Sequence, residues 1–148
     1  MKVAVLIRVY DRIDDLKYNL RVISETWNEN DYYIIVVSNG KNNGFEILPE
    51  SLPLIDKLVI LEENAGHRKG NSQLLIEGSK YIPEDCMYTL ILEADTWMFG
   101  DGIISKYINR MSKDTEVVWA SADWYDKYYA LANDFAIIKT DYIRHNPG

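Results

Sequence analysis

A single cysteine, Cys86, stands among the 148 residues. No internal disulfide can form, and no second thiol is present to build a cysteine zinc site. Cys86 reads as a small residue near the start of a strand, in a chain suited to a reducing compartment. Basic residues are also scarce, 16 against 23 acidic ones, for a net charge of -7. Phosphate-backbone recognition needs a basic face, so this balance argues against nucleic acid as a partner. An acidic chain still binds a nucleotide where a local site or a metal supplies positive charge. No apolar run approaches the about 18 residues that a membrane-crossing helix needs. The opening MKVAVLIRVY has one lysine and an apolar run cut short at Arg8, with no small-residue cleavage site. The expectation is a cytoplasmic protein without a transmembrane segment, with peripheral membrane contact left open. Also missing are a Walker loop, a Gly-x-Gly-x-x-Gly turn, a Gly-x-Ser-x-Gly elbow and a zinc-spaced Cys/His set.

The sequence does contain enough apolar residues, 47% of the chain, to bury a core, and a length that fits one domain over 1–148. VAVLI (3–7) is a continuous β-favouring run of the kind buried on both faces of a sheet. Asp11 stands as N-cap to an amphipathic helix marked by Ile13, Leu16, Leu20, Ile23 and Trp27. YYIIVV (32–37) is a second strand, broken by the turn-forming run SNGKNNG. KLVIL (57–61) predicts a third, followed by the polar loop EENAGHRKGN and a helix over 72–82. MYTLIL (87–92) predicts a fourth, and Asp101 a cap for the next helix, marked by Ile104, Tyr107, Ile108 and Met111. EVVWAS (116–121) and FAIIK (135–139) complete six strands. Strands alternating with helices predict an α/β fold with a doubly wound, mostly parallel sheet.

Ligands of such sheets bind beyond the carboxyl ends of the strands, at a switch point. Four polar stretches fall there: Arg8-Val9-Tyr10-Asp11, Ser38-Asn39-Gly40, the loop from Gly66 to Asn71, and Glu93-Ala94-Asp95. They are expected to share one cleft. In strand geometry Glu93 and Asp95 project the same way, either as a site for a hard cation such as Mn²⁺ or Mg²⁺ or as a solvated pair in a turn. Arg68 and Lys69 bring positive charge to a loop leading into a helix, which suits phosphate oxygens or is an ordinary basic loop. Tyr10 has a ring to stack on a base or sugar, and Asn39 an amide for a base edge. DWYDKYY (123–129) is an aromatic and acidic cluster suited to a sugar, and Asp134 stands just before the sixth strand.

Taken in order, these stretches resemble the nucleotide-binding part of the family-2-like glycosyltransferases with the GT-A (Rossmann-like) fold. VAVLIRVYDR looks like that family's first strand and its exit, where Tyr10 falls at a base-contacting position. YIIVVSNGKNNG looks like its second strand and Asp-Asp-Gly-Ser turn, with Ser38 and Asn39 in the acidic places. NAGHRKGNSQLLIEGSKYI looks like its Gly-to-Arg-Asn loop and helix, and YTLILEADTWM like the strand bearing its Asp-x-Asp metal motif. The resemblance covers 1–112 well and 116–148 loosely. It implies a metal-dependent, inverting transferase acting on a UDP- or GDP-sugar and a carbohydrate or other hydroxyl acceptor. On the site edge and this resemblance together, Asp95 and Glu93 would hold Mn²⁺ or Mg²⁺. Arg8, Tyr10, Asn39, Arg68, Asn71 and Ala94 would contact substrate, with Asp134 or Asp123 as catalytic base.

The chain departs from the family where Arg8 replaces a proline or small residue, Asn39 an aspartate and Glu93 an aspartate. The family's own acidic base and its Gln-x-x-Arg-Trp-like helix lie beyond this length, as in a fragment or a minimal relative. Two other readings stand beside transfer: a nucleotide- or sugar-binding module without turnover, and, ranked lower, a nucleotidyltransferase. The latter normally needs a glycine-rich loop directly after the first strand, which VYDR lacks.

Overall fold

Lys2–Val9 form the first strand, β1, of a six-stranded sheet in the computed structural model, which describes residues 1–125 and 128–146, with the side chains of 122–133 outside the description. The other strands are β2 (Asp31–Ser38), β3 (Lys57–Ile60), β4 (Tyr88–Glu93), β5 (Trp119–Tyr125) and β6 (Tyr128–Lys139). The helices are α1 (Ile13–Thr26), α2 (His67–Ser79), α3 (Gly102–Lys113) and α4 (Thr140–His145), with short 3-10 turns at Lys41–Asn43 and Pro49–Leu54. The sheet order is β3-β2-β1-β4-β6-β5. β1 pairs in parallel with both β2 and β4, and β3 in parallel with β2, while β6 and β5 form an antiparallel edge. The expected α/β architecture is therefore the observed one.

Alternation along the strands explains the two layers of helix. Val5, Ile7, Val9, Leu90, Leu92 and Ile137 face one side and join Leu16 and Leu20 of α1 and Ile104 and Ile108 of α3 in the main core. Leu6, Val37 and Val59 face the other side against Leu74 of α2. Ile91, Ala136 and Ile138 continue that second face toward Ile143 of α4. Strands covered on both faces cannot alternate apolar with polar, which is why β1, β2 and β4 read as unbroken apolar runs.

Several local expectations need correction. Asp11 does not cap α1: the N-cap is Arg12, without a side-chain cap bond, and Asp11 instead accepts the Ile13 N–H through its carbonyl. Asp101 does occupy the N-cap of α3, yet its carboxylate turns away to accept the backbone N–H groups of Asn28 and Glu29 and the Tyr32 hydroxyl. α2 begins at His67, not 72, because Gly66 at φ 82 turns the chain sharply and the basic residues wind into its first turn. β6 begins at Tyr128, seven residues before the apolar run FAIIK, because cross-strand pairing with β5 extends it through Ala132, Asn133 and Asp134, which have weak β propensity.

Candidate functional site

β1 is the switch point of the sheet: the chain winds outward from it through β2 and β3, then returns to its other side as β4. Beyond the carboxyl ends of these strands lies an open cavity of about 370 Å³. Its walls come from segments far apart in sequence. β1 and its exit contribute Arg8 to Arg12, β2 contributes Asn39, and β4 and its exit contribute Glu93, Ala94 and Asp95. The segment from β3 into α2 adds Asn64, Gly66, His67, Gly70, Asn71 and Leu74. Thus the structure brings together Arg8, Tyr10, Asn39, Asn71, Glu93, Ala94 and Asp95. It does not bring in Arg68, which as a residue of the first turn of α2 lies with Lys69, Ser72 and Gln73 on a different surface. Reading HRKGN as loop concealed this, since only helical winding separates Arg68 from its neighbours His67 and Asn71.

The floor is ionic. Arg8 and Glu93 are register partners on the parallel strands β1 and β4, and the Arg8 guanidinium donates to Glu93 Oε1 at 2.8 Å. The Arg8 side chain is only 2% exposed, that of Glu93 35%. Burial pushes the Arg8 guanidinium below its ordinary value, against the pull of Glu93 and then of Asp134. Asp134 belongs to this group by register: Phe135 pairs with Leu92 across the antiparallel β4–β6 ladder, which sets Asp134 beside the end of β4. Alternation puts Arg8, Glu93 and Asp134 on the same sheet face as Leu6, Ile91 and Ala136. Asp123 lies in β5, with its side chain outside the described residues, as are those of the rest of the 123–129 cluster.

Asp95 differs from Glu93. It lies past the end of β4 in a turn, 43% exposed, and its nearest cation is Arg12, with Nε 3.9 Å from Oδ2. Among the described residues no group of three or more His, Cys, Asp or Glu side chains forms a metal cage. A hard cation that keeps waters and takes its other oxygens from a bound phosphate needs no such cage. Asp95 fits that demand, whereas Glu93 is already held by a buried guanidinium.

The turn that carries Asp95 is fastened from below by a residue that sequence reasoning missed. Asn19 of α1 is fully buried, and its Nδ2 donates toward the carbonyls of Glu93, Ala94 and Thr96 at 3.0–3.2 Å. The Thr96 N–H also closes back on the Glu93 carbonyl, and the Ala94 N–H on that of Arg8. The signal was visible: Asn19 is a polar residue three places after Leu16 on the buried face of an amphipathic helix. Arg12 and Asn64 were missed as well, and nothing in their local pattern marks them.

On the opposite wall Asn39 is 2% exposed and donates to Asn64 Oδ1 at 3.4 Å. Asn64 Oδ1 also accepts the Gly66 N–H at 2.9 Å, so it is committed as an acceptor, and Asn39 must turn its NH₂ toward it. A Cβ at Gly70 would stand 2.9 Å from Asn64 Oδ1 and 3.2 Å from Asn39 Nδ2, so a larger residue there would displace this pair. The Tyr10 ring is set edge-on against Phe45, 5.2 Å between centroids.

No protein-family model and no curated protein matches the sequence. Solved structures match its fold. S. aureus TarS 1–349 superposes with a TM-score of 0.69 at 12% identity, over 99% of this chain and 49% of that one. A structure of the same TarS segment in complex with UDP-GlcNAc gives 0.64 at 12% identity, over 99% and 47%. M. tuberculosis glucosyl-3-phosphoglycerate synthase gives 0.63 at 10% identity, over 95% and 57%. The 4-diphosphocytidyl-2C-methyl-D-erythritol synthase of Anaerococcus prevotii gives 0.60 at 13% identity, over 99% and 73%. The chain spans about half the length of the TarS 1–349 segment. Its fold is GT-A-like.

Proposed function

We propose that the cavity binds a nucleoside-diphosphate sugar and that the protein is a glycosyltransferase. One observation carries this reading: the exits of β1, β2 and β4 and the start of α2 line a single cavity at the switch point of a GT-A-like sheet. The base would lie on the Tyr10 and Asn39 side, where a ring and a buried amide are fixed in place. The diphosphate would lie toward Asp95. A Mn²⁺ or Mg²⁺ ion held by Asp95, when bound, would neutralise charge on the leaving diphosphate. The uncapped N-terminus of α2, with His67 in its first turn, offers further positive potential from the Asn39 wall of the cavity.

In the transfer, an acceptor hydroxyl forms a bond to the anomeric carbon from the face opposite the diphosphate. The bond to the diphosphate oxygen breaks, the hydroxyl proton passes to a carboxylate, and the nucleoside diphosphate leaves. Attack from that face inverts the anomeric centre. Asp134 and Asp123 are the candidates for the proton. UDP-GlcNAc and UDP in the structures of two neighbours support a uridine donor as the first to test. The β1 exit, Arg8-Val9-Tyr10-Asp11-Arg12, has no glycine, which favours this reading over nucleotidyl transfer on the same fold. We also propose a cytoplasmic site of action; among the described residues no helix is long and apolar enough to cross a membrane.

The experiment is to incubate the protein with UDP- and GDP-sugars, Mn²⁺ and a panel of sugar acceptors, and to measure release of nucleoside diphosphate. Release that depends on donor and acceptor is the expected result. Binding without release would favour the second reading, a nucleotide-sugar-binding module. That reading draws on one observation: Asp134 already lies in the field of Arg8.

A further inference from the structure

The two carboxylates of Glu93-Ala94-Asp95 sit in unlike surroundings, and their division of labour follows from the cation each one faces. Glu93 faces Arg8 at 2.8 Å, and this guanidinium is buried and shares its strand register. Removing Glu93 would leave the buried Arg8 guanidinium desolvated without its close partner, so the pair resists exchange. Asp134 adds a second negative charge next to the same guanidinium. Strand order sets Glu93 between Arg8 on β1 and Asp134 on β6, on the sheet face on which Leu6 and Ile91 are buried, so a divalent ion taken by Glu93 would have to compete with the Arg8 guanidinium. Among the described residues the cation that Asp95 faces is Arg12, whose side chain is 64% exposed and 3.9 Å away. That contact is loose, solvated and readily exchanged.

We infer that Arg8 is the resident cation of the acidic edge: it neutralises Glu93 and Asp134, so that Glu93 is a positioning residue rather than a metal ligand, and of the two carboxylates in Glu93-Ala94-Asp95 it is Asp95 that takes an exchangeable divalent ion. The assignment of the exchangeable ion to Asp95 rests on the nucleotide-sugar reading above; the role of Arg8 does not.

Two measurements test this. The first uses the free protein. Arg8→Met strips the resident cation and exposes Glu93 and Asp134 to each other. Its melting temperature should fall, and millimolar Mn²⁺ should restore part of the loss, while wild type and the double variant Arg8→Met/Glu93→Gln gain little from the ion. An Arg8→Met protein whose melting temperature ignores Mn²⁺, or a wild type that responds as strongly, would overturn the role of Arg8. The second measurement, which decides the matter if Arg8→Met does not fold, is the affinity for UDP with Mn²⁺ and with EDTA. Glu93→Gln should keep the Mn²⁺-dependent gain in affinity, and Asp95→Asn should lose it. Equal loss in both variants would overturn the inference and leave the nucleotide-sugar reading standing. Absence of UDP binding or of any gain in wild type would overturn the assignment to Asp95 together with that reading's uridine donor and metal.

Discussion

Asn19 shows how much one buried amide can organise. Three carbonyls of the acidic turn converge on its Nδ2. Asn19→Ala would leave the buried Ala94 carbonyl without this donor and open a small void beside Leu16 and Leu20. The expected cost is roughly 2 kcal/mol, read as a lower urea midpoint with unchanged slope. The same variant should weaken any Mn²⁺-dependent stabilisation by nucleotide, because Asp95 rides on the turn that Asn19 holds. An unchanged midpoint would show that water or a neighbour replaces the amide at no cost.

Helices are fixed to the rest of the fold through two close contacts. α2 lies against β1 and β2 at Gly78, where a Cβ would run into Leu6 and stand 2.6 Å from Val37 Cγ2. Alanine favours a helix over glycine by about 1 kcal/mol, while overpacking a closed core costs about 1–3 kcal/mol. Gly78→Ala should therefore lower the melting temperature despite its better helix propensity; a rise would mean that the interface gives way freely. α3 is tied to the α1–β2 connection by Asp101. Burial alone would raise that carboxyl, but hydrogen bonds from Tyr32, Glu29 and Asn28 outweigh it and hold Asp101 below its ordinary value. A carboxylate lowered in the folded state contributes stability that is complete above its unfolded value, about 3.9, and is lost as pH falls through the folded one. Stability should thus decline below about pH 4, and Asp101→Asn should be less stable at neutral pH yet lose less on acidification. Urea midpoints at neutral pH and below 4 check both; a variant with the wild-type acid slope would remove Asp101 from the account.

For the whole molecule, the order of strands does what no single motif does. The apolar runs made β1, β2, β3 and β4 legible to within two residues, because strands buried on both faces carry their own signature. The switch-point rule then located the cavity edge correctly from Tyr10, Asn39 and Asp95, whose positions depend only on where strands end. What stayed hidden was set by partners distant in sequence. The start of α2 depends on a glycine turn and on Asn64. The pairing of Arg8 with Glu93 depends on β4 returning beside β1 rather than at the sheet edge. The extension of β6 to Tyr128 depends on β5, since Ala132, Asn133 and Asp134 have little β propensity of their own.

The claim beneath all of this is that one nucleotide reaches from the β1 and β2 exits to the β4 exit. Crystals soaked with UDP and Mn²⁺ test it most directly. The account predicts electron density for uridine near Tyr10 and Asn39, and for a diphosphate and metal ion at Asp95. Nucleotide ordered on any other face of the molecule, or a cavity that stays empty at saturating UDP, would contradict it.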